Sequence, residues 1–434
     1  MIKKIGFAIV CFAFFGAYAQ NGTVSPYSSL GIGEIRSGTT IENQMMGGIG
    51  MFADSIHINL QNPAAYADLG VEFGETFGIT AYTAGISYNQ VTLDNGIVEE
   101  STSITNLEYL ALGFTLRRNL GFGFGITPRS SVGYNLESEI NQDTDEPNIV
   151  NSYSGAGGLN RAYASIGWGI TDNLKIGVTA NVNFGTIESS RIQLVENVQL
   201  ATFDEKESRI TGVDFNYAVN YTPRFKDKYR LHTSIRVNTQ ANLTSSNIQR
   251  IGSVVSDEQS PSFGAELEFE EVDLGAIGLK ETEVKIPTIA TFGLGFGQDA
   301  KWFLGGELSF QDWGEYVNPF LQADNVAYKT ANTFALGGFW VPNHTSFKFL
   351  QRITYRAGLR MEKTGMVVGG NEVDNFGITF GVGLPLSRSF SNVNIGFDLG
   401  KQGTTEGNLI EEGYFKINVG LSLNDQWFRK SKIN

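Results

Sequence analysis

Apolar and polar residues alternate with a period of two along most of the chain. The stretch "LHTSIRVN" at 231–238 has this pattern, and it recurs in "LKIGVTANVNFG", "YRAGLRME", "VNIGFDLG" and "FKINVGLSL". Successive side chains of a β-strand point to opposite faces. Each of these stretches therefore predicts a strand with one apolar and one polar face.

The polar faces carry charged residues in the middle of the predicted strands. These residues are Arg236, Arg356, Arg360, Glu362, Asp398 and Lys416. A polar lumen enclosed by a wall whose outer face contacts lipid accounts for this pattern. We therefore predict an all-β protein that forms a transmembrane β-barrel, in preference to a soluble β-sandwich.

We predict about fourteen antiparallel strands, an even number that fits a closed bacterial barrel. Their approximate ranges are 71–93, 104–118, 120–136, 157–170, 174–195, 207–222, 229–244, 283–297, 301–313, 327–341, 352–363, 372–384, 390–401 and 412–424. The connections alternate in length. Most odd-numbered strands precede a long polar connection, such as the segment from Thr244 to Glu281, and most even-numbered strands precede a short turn, such as Asn119. Long loops on one side and tight turns on the other are typical of outer-membrane barrels.

The first twenty residues, "MIKKIGFAIVCFAFFGAYAQ", have the pattern of a secretory signal peptide. Two lysines precede an apolar run, and Ala17, Tyr18 and Ala19 form the A-x-A motif of a cleavage site. We expect residues 1–19 to be removed and the protein to be exported to the outer membrane. The single cysteine of the chain, Cys11, lies in this segment, so we expect no disulfide or thiolate metal site in the mature protein.

Residues 20–69 do not alternate and are rich in glycine, as in "MMGGIGMFADSIHINLQNPAAYADL". They are too apolar for a free periplasmic tail and too often broken by glycine to be strands. We predict that they form a hatch, or plug, inside the barrel of residues 70–428. Trp427 and Phe428 would belong to the interfacial aromatic girdle, and 429–434 would form a basic periplasmic tail.

The residues around the end of this segment resemble the FadL family of outer-membrane transporters for long-chain fatty acids and other hydrophobic compounds. An Asn-Pro-Ala triplet ends the hatch in that family, and Asn62, Pro63 and Ala64 occupy it here. "LGFGFGITPRSSVGYNL", "ITDNLKIGVTANVNFG" and "KIPTIATFGLGFGQDAKWFLGGELSFQDW" are similar, in order, to later strands of the family. The resemblance spans nearly the whole mature chain.

The resemblance implies a passive outer-membrane channel for hydrophobic or amphipathic small molecules, of the long-chain fatty-acid type, gated by the hatch. Pro63 would stiffen the hinge between hatch and wall. If the ligand is an amphipathic acid, Arg236, Arg356 and Arg360 on the lumen faces are candidates to bind its carboxylate, unless acidic residues of the lumen pair with them. The alternative is a non-transporting, FadL-like structural or plugging subunit of an outer-membrane protein-secretion or assembly complex. The partners would be membrane lipid and a hydrophobic ligand, or other outer-membrane proteins.

Other kinds of chemistry find little support in the sequence. The formal net charge of −13 makes nucleic acid a poor partner. His57, His232 and His344 have no neighbours at metal-ligand spacing, so we expect no metal site and no cofactor. No serine is singled out as a nucleophile, and we do not expect an enzyme.

The alternation also predicts how two neighbouring positions respond to substitution. We expect Ile235→Arg, on the lipid face, to destabilise the barrel by about 2–4 kcal/mol. We expect Arg236→Ser, on the lumen face, to cost little. Folding of both variants into lipid vesicles measures the difference.

Overall fold

Fourteen antiparallel strands close into a barrel. The computed structural model describes residues 22–70, 79–140, 147–226, 228–255, 266–323, 325–386 and 391–426. The predicted signal peptide, the residues Trp427 and Phe428 and the basic tail lie outside the described residues. The barrel is closed because the last wall strand pairs with the first wall strand. Their paired residues run from Ile79 opposite Gln426 to Asp94 opposite Glu411.

The wall strands are β2 (Ile79–Asp94), β3 (Glu99–Arg117), β4 (Leu120–Ile140), β5 (Ile149–Gly169), β6 (Leu174–Val195), β7 (Leu200–Tyr221), β9 (Tyr229–Asn238), β13 (Ile289–Gln298), β14 (Trp302–Asp312), β16 (Thr330–Trp340), β17 (Thr354–Val368), β18 (Asn371–Pro385), β19 (Asn392–Gln402) and β20 (Glu411–Gln426). The other strands are β1 (Glu34–Ile35), β8 (Arg224–Phe225), β10 (Ala241–Val255), β11 (Glu266–Glu271), β12 (Glu281–Ile286) and β15 (Val326–Tyr328). Two short helices, α1 (Ile41–Gln44) and α2 (Phe349–Arg352), lie in the hatch and in the turn before β17. The predicted fold class is confirmed.

Several strands extend further on the loop side than the pattern predicts. The segment from Thr244 to Glu281, expected as a loop, contains most of β10 and all of β11, and β10 pairs with both β7 and β12. The stretch 201–206, which precedes the predicted strand 207–222, lies inside β7. Both faces of this outer part of the sheet are rich in polar residues, so no apolar stripe marks its strands.

The alternation sorts side chains to the two faces of the wall as expected. On β9, Ile235 is 51% exposed on the outer face, whereas Arg236 is 6% exposed in the lumen. Among the described residues, no helix is long and apolar enough to cross a membrane.

The hatch, described from residue 22 onward, lies in the lumen and is almost entirely buried. Ile41, Ile49 and Ile58 are each 2% exposed or less. A 3₁₀-helix at Pro63–Asp68 begins at a proline, which has no N–H to leave unsatisfied at a helix start. All six of its residues are buried.

Glycines in the wall make room for the backbone of the hatch. A Cβ atom on Gly177 would lie 2.2 Å from the carbonyl carbon of Pro63, and one on Gly337 would lie 2.0 Å from the carbonyl oxygen of Met46. Contacts this short are impossible for any larger residue without moving backbone. These wall glycines therefore allow the close approach of hatch and wall.

Candidate functional site

The barrel wall is interrupted between β3 and β4. These strands pair only from Leu110 opposite Ile126 to Arg117 opposite Leu120, although each continues well beyond that point. The ladder stops just before Pro128, which has no N–H to donate to a neighbouring strand. At about 3.3 Å per residue and a tilt near 40°, the paired part covers roughly 20 Å. The interruption therefore begins within the apolar band of the membrane, which is about 25 Å tall.

A β-bulge lies on each side of this opening. Glu108 is the extra residue where the β2–β3 register shifts, and Arg129 is the extra residue where the β4–β5 register shifts. Bulges bend a strand and redirect a side chain. The two bulges place Glu108 and Arg129 on the two strands that border the opening.

The hatch covers the opening from the inside. Strand β1 pairs with β4 at the edge that β3 leaves free, with Glu34 opposite Ser131 and Ile35 opposite Ser130. The next residue, Arg36, donates its backbone N–H to the carbonyl oxygen of Arg129. A strand of the hatch thus occupies part of the unpaired edge of the wall.

Arg36 also spans the gap through its side chain. Its Nη2 lies 2.5 Å from Oε1 of Glu108 on the opposite edge, and Ser87 donates a hydrogen bond to the same carboxylate oxygen. Burial lowers the pKa of Arg36, but the carboxylates of Glu108 and Glu34 outweigh it and raise the pKa overall. We call this charge-assisted contact between Arg36 and Glu108 the latch.

Two cavities meet at Arg36. An outer cleft of about 360 Å³ lies in the opening and is lined by Leu107, Asn160 and Thr186 among others. An inner cavity of about 240 Å³ lies in the lumen. Arg36 and Pro128 line both of them, so movement of β1 would connect the lumen with the lipid side of the wall.

The arginines nominated from the sequence lie in different environments. Arg236 pairs with Glu307 at 2.5 Å and also donates to Gln61 of the hatch. Glu307 in turn accepts from the backbone N–H of Gly50. Arg236 and Glu307 therefore bind the hatch as well as each other. Glu307 is an acidic residue of the lumen that pairs with a candidate arginine, as the sequence analysis allowed.

Arg360 and Arg356 have different hydrogen-bond or ion-pair partners and line different cavities. Arg360 lies 3.7 Å from a carboxylate oxygen of Asp398 and lines the inner cavity beside Arg236. Arg356 instead donates to the amide oxygen of Asn394 at 2.9 Å and lines a separate cavity on the side of the short turns. The three arginines do not form one site.

Sequence reasoning missed Arg36, Glu108 and Arg129. Arg36 lies in a hatch segment without periodicity, and the two bulge residues break the alternation by which wall residues were sorted. Pro128 was the available signal, because a proline in an otherwise regular strand marks an edge or a bulge.

The Asn-Pro-Ala triplet sits at the start of the buried 3₁₀-helix. The side chain of Asn62 donates to the carbonyl oxygen of Gly50 in the hatch and to the amide oxygen of Asn220 in the wall. The carbonyl group of Pro63 packs over Gly167 and Gly177. These contacts fix the end of the hatch to β5, β6 and β7.

His57 belongs to a hatch ion pair. Its Nδ1 lies 2.7 Å from a carboxylate oxygen of Asp54. Burial lowers the pKa of His57, but the negative charge of Asp54 outweighs it and raises the pKa overall, which favours the charged form of the imidazole. Within the described ranges, no three His, Cys, Asp or Glu side chains are grouped as metal ligands would be.

Comparison with known proteins gives a family and a fold. A family model described as BamG matches residues 1–434, and no curated protein matches the sequence. The solved structures of similar fold include the CymD monoaromatic hydrocarbon channel, with 12% identity, 91% of this chain and 98% of that chain covered, and a TM-score of 0.56. The toluene transporter TodX of Pseudomonas putida has 13% identity, with 92% and 100% covered and a TM-score of 0.56.

A FadL homologue of Pseudomonas aeruginosa is similar to the same extent, with 12% identity, 90% and 98% of the two chains covered and a TM-score of 0.54. Identities this low establish the fold alone. The shared fold is a closed antiparallel barrel.

Proposed function

The chain belongs to the BamG family, and from its FadL-type barrel we propose that it is a passive outer-membrane channel for amphipathic small molecules. In this proposal a molecule enters from the loop side and reaches the inner cavity beside the hatch. It then passes through the opening between β3 and β4 when β1 moves. No cofactor or energy source takes part.

The interrupted wall is the observation that carries this proposal. Unpaired backbone groups facing lipid cost several kcal/mol each, because the hydrocarbon offers no hydrogen-bond partner. A closed barrel avoids that cost by pairing every strand. An opening beside a movable hatch strand is therefore more readily explained by passage of a ligand than by stability.

The lining of the lumen favours an amphipathic ligand over a pure hydrocarbon. The inner cavity is lined by arginines 36, 129, 161, 236 and 360 together with Glu307 and Glu362. Nε of Arg129 is buried without a hydrogen-bond partner in the described part of the chain. A long-chain acid could place its carboxylate here and its tail in the lateral opening. Arg236 and Arg360 remain candidate binding residues, and Asn62, Pro63 and Ala64 remain the proposed hinge.

A disulfide between β1 and β4 tests the lateral route. Ile35 and Ser130 are partners in register. They form a non-hydrogen-bonded pair, because the adjacent residues Arg36 and Arg129 make the backbone hydrogen bond. Such non-hydrogen-bonded pairs have close Cβ atoms and accept a disulfide. We expect Ile35→Cys with Ser130→Cys to abolish uptake of a fluorescent long-chain acid by cells that rely on this protein, and a reductant to restore it.

The two single-cysteine variants are the controls, since neither can form the bond. Heat-modified gel mobility reports whether the barrel has assembled. Undiminished uptake by the oxidised double variant would show that no ligand passes between β3 and β4.

The second candidate is a non-transporting subunit of an outer-membrane secretion or assembly complex. The observation that favours it is the height of one side of the barrel. Strands β5, β6 and β7 have 21 or 22 residues, whereas a membrane-spanning strand needs about 9–11. The excess forms a stiff sheet on the loop side, extended by β10, β11 and β12 and bearing polar pairs such as Arg250 with Glu205. Such a sheet could present a platform to other outer-membrane proteins.

Shortening this sheet separates the two candidates. Ser246 of β10 and Glu281 of β12 are partners in register, so a two-residue Asn-Gly turn can replace residues 247–280. A channel is expected to keep its uptake after the replacement. A subunit is expected to lose crosslinks to other outer-membrane proteins while the barrel still assembles.

A further inference from the structure

A further cavity, of about 490 Å³, opens on the side of the short turns. Asp299 and His344 line it from two of these turns, and Phe52 and His57 line it from the hatch. The lateral opening is lined by a different set of residues. This cavity therefore faces the periplasm and is accessible whether or not anything crosses the wall.

One wall of the cavity is aromatic. Phe52 of the hatch lies with its ring centroid 4.7 Å from that of Phe303 and 4.9 Å from that of Phe339. The ring of His232 lies 5.1 Å from that of Phe303, in an edge-to-face arrangement. All four side chains line the cavity. A flat apolar group of a ligand could pack against these tilted rings.

The neighbouring wall carries Arg356, which is the residue opposite Phe339 in the β16–β17 ladder. Arg356 is 8% exposed, and among the described residues its hydrogen-bond partner is the neutral amide of Asn394. Its guanidinium lies over Gly383, where a Cβ atom would be 2.6 Å from Nη1. Among those same residues, no carboxylate contacts this guanidinium, which has five hydrogen-bond donors. Burying a charge in this way lowers the stability of the fold, so stability alone does not explain it.

The acidic residues of the cavity do not neutralise Arg356 by contact. Asp54 is paired with His57, and Asp299 is paired with Arg224 and Arg230. Glu42 accepts from Asn394 through Oε1 at 2.7 Å, while its Oε2 is buried without a hydrogen-bond partner in the described part of the chain. The amide of Asn394 thus separates the guanidinium from the carboxylate. The presence of Glu42 nearby disfavours a second negative charge on any ligand.

We propose that this periplasm-facing cavity binds a small monoanionic acid with an aromatic or similarly flat apolar body. The acid group accepts hydrogen bonds from the unused donors of Arg356, and the apolar body lies against Phe52, Phe303 and Phe339. Charge-assisted hydrogen bonds in a site shielded from water are strong enough to select an acid over a neutral analogue.

Calorimetry on the protein in lipid nanodiscs, with empty nanodiscs as the blank, tests the proposal. The probes are 2-naphthoate, the neutral 2-naphthylmethanol and the dianion 2,6-naphthalenedicarboxylate. We expect 2-naphthoate to bind, and the other two to bind roughly tenfold or more weakly. Arg356→Gln should weaken binding of 2-naphthoate by a similar factor, and Arg356→Lys should restore part of it.

Arg209→Gln is the control, because it also removes an arginine, but one whose side chain is 70% exposed and lines neither the periplasm-facing cavity nor the inner cavity. It should leave binding of 2-naphthoate unchanged. Thr354→Tyr places a ring in the periplasm-facing cavity without changing charge, and it should abolish binding. The proposal is wrong if wild type binds 2-naphthylmethanol as tightly as 2-naphthoate, or if Arg356→Gln binds like wild type. Should Arg356→Gln fail to assemble, retained binding in Thr354→Tyr overturns the proposal.

Discussion

Arg236→Ser is expected to lower the free energy of unfolding by about 3–5 kcal/mol, because it leaves the carboxylate of Glu307 buried without its cation. Arg236 and Glu307 are 6% and 5% exposed, and their closest N–O distance is 2.5 Å. The hydrogen bond from Gly50 to Glu307 would remain but cannot balance a full charge. Unfolding by denaturant in lipid vesicles measures the change.

This result would correct the expectation, drawn from alternation alone, that Arg236→Ser costs little. The matched control is Arg209→Ser, since Arg209 is also paired with a carboxylate, that of Glu207, but its side chain is 70% exposed. Exposed ion pairs contribute about 0–1 kcal/mol. The double variant Arg236→Ser with Glu307→Ser should recover part of the loss, because no charge is then left buried. Equal destabilisation by Arg209→Ser and Arg236→Ser would contradict this account of the lumen.

Gly177→Ala is expected to unseat the hatch while leaving the barrel assembled. Its new Cβ atom would lie 2.2 Å from the carbonyl carbon of Pro63 and 2.4 Å from the backbone nitrogen of Ala64, and neither can move without moving the 3₁₀-helix. Overpacking of this kind costs about 1–3 kcal/mol. The hatch should therefore open roughly ten- to hundredfold more often, since about 1.4 kcal/mol is a factor of ten.

The substitution Ile49→Cys reports this opening, because Ile49 is fully buried at 0% exposure. A water-soluble thiol reagent should label the introduced cysteine slowly in the otherwise unchanged protein and much faster alongside Gly177→Ala. Gly306→Ala is the matched control: its Cβ atom would meet nothing closer than 3.4 Å. If the introduced cysteine is labelled equally fast with Gly177 intact, the hatch is not held in the lumen by this contact.

Alternation identified the wall well because it reports a single physical condition, the difference between lipid outside and a polar lumen inside. Ile235 and Arg236 point to opposite faces for that reason, and the number of wall strands followed from counting such segments. The same reasoning failed for the outer parts of β7 and β10, because polar residues occur on both faces there and leave no contrast for a sequence to record.

The sequence by itself determined the barrel, the side of the wall on which each regular residue lies, and the presence of a non-alternating segment before the first strand. These are local properties, set by the period of the strand and the polarity of its surroundings. Only the tertiary structure decided which groups meet the lumen arginines: the carboxylate of Glu307 pairs with Arg236, whereas the neutral amide of Asn394 accepts a hydrogen bond from Arg356. It also decided that Arg36 reaches Glu108 across an interrupted wall. Register, bulges and the seating of the hatch bring together residues that are distant along the chain, and no local pattern encodes those distances.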